Sequence, residues 1–197
     1  MNGVVRDDYD RRVAELSTER LVLRQWRDSD LAPFAELNAD PEVMRHFPAP
    51  MAREESDSFA QMVRQTIERQ GWGLWAVGVT GGRDYIGFVG LNAPRFDAPF
   101  MPAVEVGWRL ARDHWGHGYA TEAARAATAF GFDELTLDEI VSFTAPANGR
   151  SRRVMERLGM THDPRDDFDH PRVPARLNPH VLYRLRRHGL PADPERS

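Results

Sequence analysis

Apolar and polar positions follow two periods along this chain, and the switches between them predict its elements. Residues 1–17 are charged and mixed, which predicts a loose extension or an edge element. Leu21-Val22-Leu23-Arg24-Gln25-Trp26 reads as a strand. Leu31, Phe34 and Leu37 then recur at helical spacing, with Asp28 or Ser29 placed to cap the first turn and Asp40-Pro41 ending the helix. A second helix carries Phe59, Met62, Val63, Thr66 and Ile67 behind the acidic start Glu54-Glu55, and Gly71 stops it.

The period changes in the middle of the chain. Residues 73–79, 85–91 and 103–110 are rich in β-branched and aromatic side chains and read as strands. Gly81-Gly82 joins the first two closely enough for an antiparallel hairpin, whereas Pro94, Pro99 and Pro102 make the next connection a longer loop. From Thr121 onward, Ala123, Ala124, Ala127, Phe130 and Gly131 form a helix with a small-residue face, followed by a strand over 140–144. Another helix runs from about Ser151 to Leu158 and stops at Gly159, the C′ position that suits glycine. A charged, Pro-broken loop over 163–179 leads to a last strand over 180–185. This order of strand, two helices, three strands, helix, strand, helix and strand predicts an α/β (α+β) domain, a mixed sheet with helices on its faces.

Composition narrows the classes. At 197 residues with 41% hydrophobic content the chain has room for one sizeable core. A net charge of −4 with scattered Arg residues excludes a basic face for nucleic acid. All 26 basic residues are Arg, from which no function follows. The absence of Cys removes disulfides, thiolate metal sites and Cys nucleophiles. No apolar run approaches a membrane span and the first residues lack an apolar core, so the expected location is the cytoplasm, with no membrane partner.

One segment has the form of a phosphate cradle. Trp115-Gly116-His117-Gly118-Tyr119-Ala120 lies between a strand and a helix, where two glycines turn the backbone tightly and the first-turn N–H groups face outward with the positive end of the helix dipole behind them. An ordinary strand-to-helix turn uses the same glycines, so the spacing alone is weak. A dinucleotide fingerprint fails, because Thr121 stands where the third glycine belongs and the preceding strands form a hairpin. His114 and His117 are three apart but have no third ligand in register, which predicts no metal site.

The stretch Val104-Glu105-Val106-Gly107-Trp108-Arg109-Leu110, followed by residues 115–123, resembles motif A of the GNAT family of N-acetyltransferases. The resemblance continues in Thr18-Glu19-Arg20-Leu21-Val22-Leu23-Arg24, in Asn148-x-x-Ser151-x-x-Val154-Met155-Glu156-Arg157-Leu158-Gly159-Met160, and in His180-Val181-Leu182-Tyr183-Arg184. Within the family it is most similar to the RimJ and RimL type of ribosomal-protein N-terminal acetyltransferases. It implies a GNAT fold over 18–187, with a 1–17 extension, a 188–197 tail and a mostly antiparallel sheet splayed at its fourth strand.

The resemblance also implies acetyl-CoA as co-substrate. It places the backbones of Trp108 and Leu110 along the pantetheine arm, with the amides of Trp115, Gly116, His117, Gly118, Tyr119, Ala120 and Thr121 forming the pyrophosphate turn. Asn148 and Ser151 fall near the thiol end, where a plain helix cap is the competing explanation. Many members place a Tyr four residues beyond the Ser position to protonate the leaving thiolate, and here that residue is Met155. Ser151 is the available donor.

The acceptor amine is protonated near neutral pH and must lose that proton before attack. Glu105, flanked by Val104 and Val106, is the candidate base, with a structural glutamate paired to an Arg as the alternative. His170 and His180 are secondary candidates. Trp72 and Trp75 read as core residues, with Trp72, between Gly71 and Gly73, also a candidate for the acceptor groove. Arg150, Arg152 and Arg153 read as a solvated charged face. The expected function is acetyl-CoA-dependent N-acetylation of a primary amine, on a peptide N-terminus or a small molecule. A catalytically silent acyl-CoA sensor and a nucleotide-binding oxidoreductase are the competing classes, and a homodimer is left open.

Overall fold

The computed structural model describes residues 13–187. The chain order is β1 (Leu16–Ser17), β2 (Leu21–Arg24), α1 (Leu31–Ala39), α2 (Arg53–Gln70), β3 (Leu74–Val79), β4 (Gly87–Asn92), β5 (Glu105–Leu110), α3 (Tyr119–Asp133), β6 (Glu139–Thr144), α4 (Gly149–Arg157), β7 (Thr161–His162) and β8 (Val181–Arg186). The sequence-based expectations for residues 1–12 and 188–197 lie outside the described residues.

One eight-stranded sheet runs in the order β1-β2-β3-β4-β5-β6-β8-β7. Every adjacent pair is antiparallel except β5 and β6, which are parallel and share only the Glu105↔Val141 register. Beyond that point the two strands diverge, while β5 stays paired with β4 from Glu105↔Asn92 to Leu110↔Gly87. With the two-residue β1 counted, the splayed strand is the fifth.

Helices cover both faces. On one, Phe88 of β4 meets Phe34 of α1 and Phe59 of α2, with ring centroids 6.0 and 5.9 Å apart. On the other, α3 presents the small face read from the sequence, with Ala123, Ala124 and Ala127 fully buried. A Cβ at Gly131 would meet Ile140 Cδ1 at 2.8 Å and Leu91 Cδ1 at 3.1 Å, so the smallness of that face sets how closely α3 sits on the sheet.

Several boundaries differ from the sequence reading. Gly71 ends α2 in the left-handed region at φ 86°, as expected, and Gly159 follows α4 at φ 83°. The cap of the first helix does not come from Asp28 or Ser29. Residues 28–30 form a 3-10 turn whose Asp30 carboxylate accepts from the Arg27 amide at 2.8 Å. That carboxylate is buried because it also receives Arg24 Nη1 at 2.7 Å and Nη2 at 2.9 Å. Asp28 pairs with Arg64 instead. The 163–179 loop contains two 3-10 turns, over Pro164–Asp166 and Ala175–Leu177. Among the described residues no helix is long and apolar enough to cross a membrane.

Candidate active site

The divergence of β5 from β6 opens a cavity of about 900 Å³ that runs from the start of α3 to the loops over 42–48 and 170–180. Its cofactor-like end is the turn before α3. Gly116 and Gly118 both hold φ 81°, a conformation that side chains resist, and a Cβ at Gly116 would meet nothing within 4 Å. Helix α3 begins at Tyr119, two residues before the position expected from the sequence, because left-handed Gly118 serves as its N-cap. The first helical bond is Glu122 N–H to the Gly118 carbonyl at 3.0 Å. The amides of Tyr119, Ala120 and Thr121 are thus orphaned by helix geometry, and those of Gly116, His117 and Gly118 have no backbone partner among the described residues. Open space, unpaired N–H groups and a 15-residue helix dipole together fit a pyrophosphate.

Glu122 anchors this turn to the N-terminal strands. It accepts from Thr18 Oγ1 at 2.6 Å, the Arg20 amide at 3.0 Å and Arg20 Nε at 2.8 Å. Burial works against its charge, but these bonds hold its carboxyl below the ordinary value. The Thr18-Glu19-Arg20 segment therefore has a structural task at the cradle.

Trp108 and Leu110 lie on the edge that faces the divergence. Ala111 N–H donates to the Ile86 carbonyl at 2.9 Å, so by ladder alternation Arg109 and Gly107 also turn their backbones to β4, while Trp108 and Leu110 turn theirs toward the gap. Beyond Glu105↔Val141 that side has no ladder partner. The Leu110 carbonyl takes the Trp115 indole N–H at 2.8 Å, which fixes Trp115 at the cavity wall. Arg150 stacks over the same indole at 4.4 Å and donates to Glu42 Oε1 at 2.9 Å, tying α4 to the 42–48 loop across the opening. His117 alone among the sequence-picked turn residues lies off the cavity, exposed, with its ring stacked on Tyr119.

At the far end of the cradle, Asn148 caps α4, its Oδ1 accepting from the Ser151 amide at 3.2 Å. Both residues also line the cavity. Met155 is 1% exposed and belongs to the core. Glu105 lines the cavity from the first position of β5. Enclosure by protein pushes its carboxyl up to about 8, against a side-chain hydrogen bond with Asn92 that pulls it down. No Arg forms an ion pair with it among the described residues, which removes the structural-pair alternative.

Residues 20–161 match the acetyltransferase (GNAT) domain family. This chain is a member of the GNAT family. It is similar to the Bacillus subtilis protein YkkB, 31% identical over 147 residues that cover 74% of this chain and 84% of that one. It is also similar to the FsC-acetyl coenzyme A-N(2)-transacetylase of Aspergillus fumigatus, 33% identical over 134 residues, 64% of this chain and 56% of the other. Among solved structures, an acetyltransferase from Agrobacterium tumefaciens aligns with a TM-score of 0.72 at 28% identity, covering 89% and 95% of the two chains. The protein is therefore an acyltransferase, and the GNAT fold uses acetyl-CoA.

The rest of the cavity of this GNAT domain was only partly legible beforehand. His170 and His180 stand in its wall with ring centroids 5.2 Å apart, beside Phe143. Burial, then the proximity of His170, holds His180 down to about 4, so it is neutral at physiological pH. Trp72 does not line the cavity and packs against the main core. The 42–48 loop, with His46 and Phe47, lines it instead, and so does Arg109. A charged residue set between Trp108 and Leu110 was the one sequence signal for the last of these.

Proposed function

We propose that this GNAT protein transfers the acetyl group of acetyl-CoA to a primary amine by direct attack, without a covalent enzyme intermediate. The observation that carries the reading is the run of unpaired amides from Gly116 to Thr121 opening onto the gap between β5 and β6, with Glu105 on its wall. Acetyl-CoA, when bound, supplies an acetyl group activated as a thioester.

The chain's own residues then divide the work. The 116–121 amides hold the pyrophosphate. The gap-facing amides of Trp108 and Leu110 orient the carbonyl and donate to its oxygen. Glu105, with its carboxyl held near the working pH, accepts the ammonium proton of the acceptor. The Ser151 hydroxyl donates a hydrogen bond toward the sulfur, which many relatives instead protonate with a Tyr at the Met155 position. The acceptor is a protein N-terminal α-amine or a small amine, the former suggested by the RimJ- and RimL-like motifs.

A panel of N-terminal peptides, polyamines and aminoglycosides with acetyl-CoA, scored by free thiol release, tests the reading, and the chain's lack of Cys keeps the thiol background at zero. Acceptor-dependent thiol release is expected. CoA binding with no release for any amine favours the silent acyl-CoA sensor, for which buried Met155 is the supporting observation.

A further inference from the structure

One face of β5 forms the floor of the cavity on the side of α1 and α2, presenting Glu105, Gly107 and Arg109 in alternation. Arg109 lines the cavity yet is only 7% exposed. Its guanidinium lies 4.1 Å over the Phe47 ring and 5.4 Å from the Phe88 ring centre. Nη1 donates to Asn38 Oδ1 at 2.5 Å, and Asn38 Nδ2 donates in turn to Ser56 Oγ at 2.8 Å. Nε is buried without a hydrogen-bond partner, so the guanidinium reaches the cavity wall with its donors only partly satisfied.

No carboxylate compensates this charge among the described residues. The one ionisable group that acts on it is the Tyr85 phenol, itself buried and held protonated. Burial lowers Arg109 to about 10, which still leaves it cationic at neutral pH. A guanidinium withdrawn from water without an anion is costly, and a long apolar side chain would fill the same space without that cost. Arg24 supplies the contrast within this protein, since it is 4% exposed but satisfied by two hydrogen bonds to Asp30. Glu105 shares the face of Arg109 but lies four residues away, about 13 Å along the strand, and neither acts on the other's charge.

We propose that Arg109 binds a carboxylate carried by the acceptor, so that the substrate is an amino carboxylate whose amine and acid are held apart by a spacer. The proposal rests on amine acetylation as the activity. The amine lies toward Glu105 and the acid toward Arg109, whose planar, partly unsatisfied guanidinium matches a carboxylate. A bare α-amino acid is too short to meet both groups. Two sources share the chemistry, a small ω-amino acid and a peptide with an acidic side chain close to its N-terminus.

The experiment compares matched acceptors with the wild-type protein and acetyl-CoA: 6-aminohexanoate against its primary amide, and a Gly-Asp peptide amide against its Gly-Asn counterpart. The expected result is a KM at least about tenfold lower for the acid of one pair, and whichever pair shows it identifies the source. Arg109→Met should abolish that difference. Asn38→Asp is the second variant, because it gives Arg109 an internal carboxylate at the position of Oδ1 and keeps the Ser56 contact; it should melt no lower than wild type and lose the preference for the acid. Calorimetry with 6-acetamidohexanoate and its amide, which needs no turnover, should show the same discrimination if the small-acid pair is preferred. Equal KM values for acid and amide in both pairs, with turnover present, overturn the proposal and leave the acetyltransferase reading standing. No thiol release with any amine overturns both.

Discussion

Replacing Glu105 by Gln should make the protein more stable at alkaline pH and leave stability unchanged in mild acid. Burial raises the Glu105 carboxyl from the ordinary 4.5 to about 8. Between those values the folded protein keeps a proton that the unfolded chain has released, so wild-type stability falls as pH rises through the window. At 1.36 kcal/mol per pH unit the full span corresponds to a ceiling of ~5 kcal/mol. Glu105 opens on one side to cavity water, which screens the charged form, so about 2–3 kcal/mol is the expected size. Gln keeps the shape and can retain the Asn92 contact, but it has no proton to lose. Urea unfolding of both proteins at half-unit steps from pH 5 to 9 measures the difference directly. Subtracting one protein from the other cancels His180, whose own effect on stability spans the range from about 4 to its ordinary 6.5 and is common to both. The Gln variant should match wild type near pH 5 and exceed it by about 2–3 kcal/mol at pH 8.5. A difference that is flat with pH would show that Glu105 ionises normally, and the case for it as a tuned base would fall. The same variant should lose about 10²–10⁴ in kcat, and wild-type kcat should rise with pH toward a plateau above 8.

Gly118→Leu forces a side chain onto a backbone held at φ 81°, beside the open amides, and should weaken CoA binding by calorimetry at least about tenfold; unchanged affinity would refute the cradle. Ser151→Ala should lower kcat several-fold with little change in CoA affinity, and wild-type turnover in that variant would remove the hydroxyl from the reaction. Asp30→Ala leaves buried Arg24 without its anion and should cost about 3–5 kcal/mol in denaturant unfolding, with a loss below 1 kcal/mol showing that water replaces the carboxylate. A Cβ at Gly107 would come no nearer than 3.9 Å to Glu105 Oε1, so Gly107→Val should fold, raise the acceptor KM and leave CoA affinity alone; a CoA affinity that falls in step would mean that the cavity does not divide in this way.

What the sequence made legible was what local chemistry decides. Gly71 and Gly159 end helices because no other residue takes φ near 85° cheaply, and the alanine face of α3 is visible at helical spacing before any partner is known. Local signals also misled. Asp28 and Ser29 have the right chemistry for a cap, but Asp30 wins the Arg27 amide because Arg24, six residues earlier, fixes its carboxylate in the core. Strands β1 and β7 are two residues each, too short for alternation to register. Trp72 fits the outline of a groove residue by its glycine neighbours, yet the groove is lined by Phe47 and His46, brought there by a loop with no period of its own.

The division between a legible cofactor end and an illegible acceptor end follows from how β5 is used. Its edge offers backbone amides, which every residue but proline supplies, so the edge depends on where the strand lies and on the glycines that turn the chain after it. That geometry leaves a mark in the sequence. Its face offers the side chains of Glu105 and Arg109 with the bare backbone of Gly107 between them, and all three positions can change without disturbing the ladder. The meaning of the two charged residues depends on partners far away in the chain: Asn38 for Arg109, and for Glu105 the walls that partly enclose it. A charged residue in an apolar strand thus carries little weight until the fold shows whether an anion meets it. For Arg24 one does, and the residue is structural; for Arg109 none does among the described residues, and the missing anion is what the substrate has to bring.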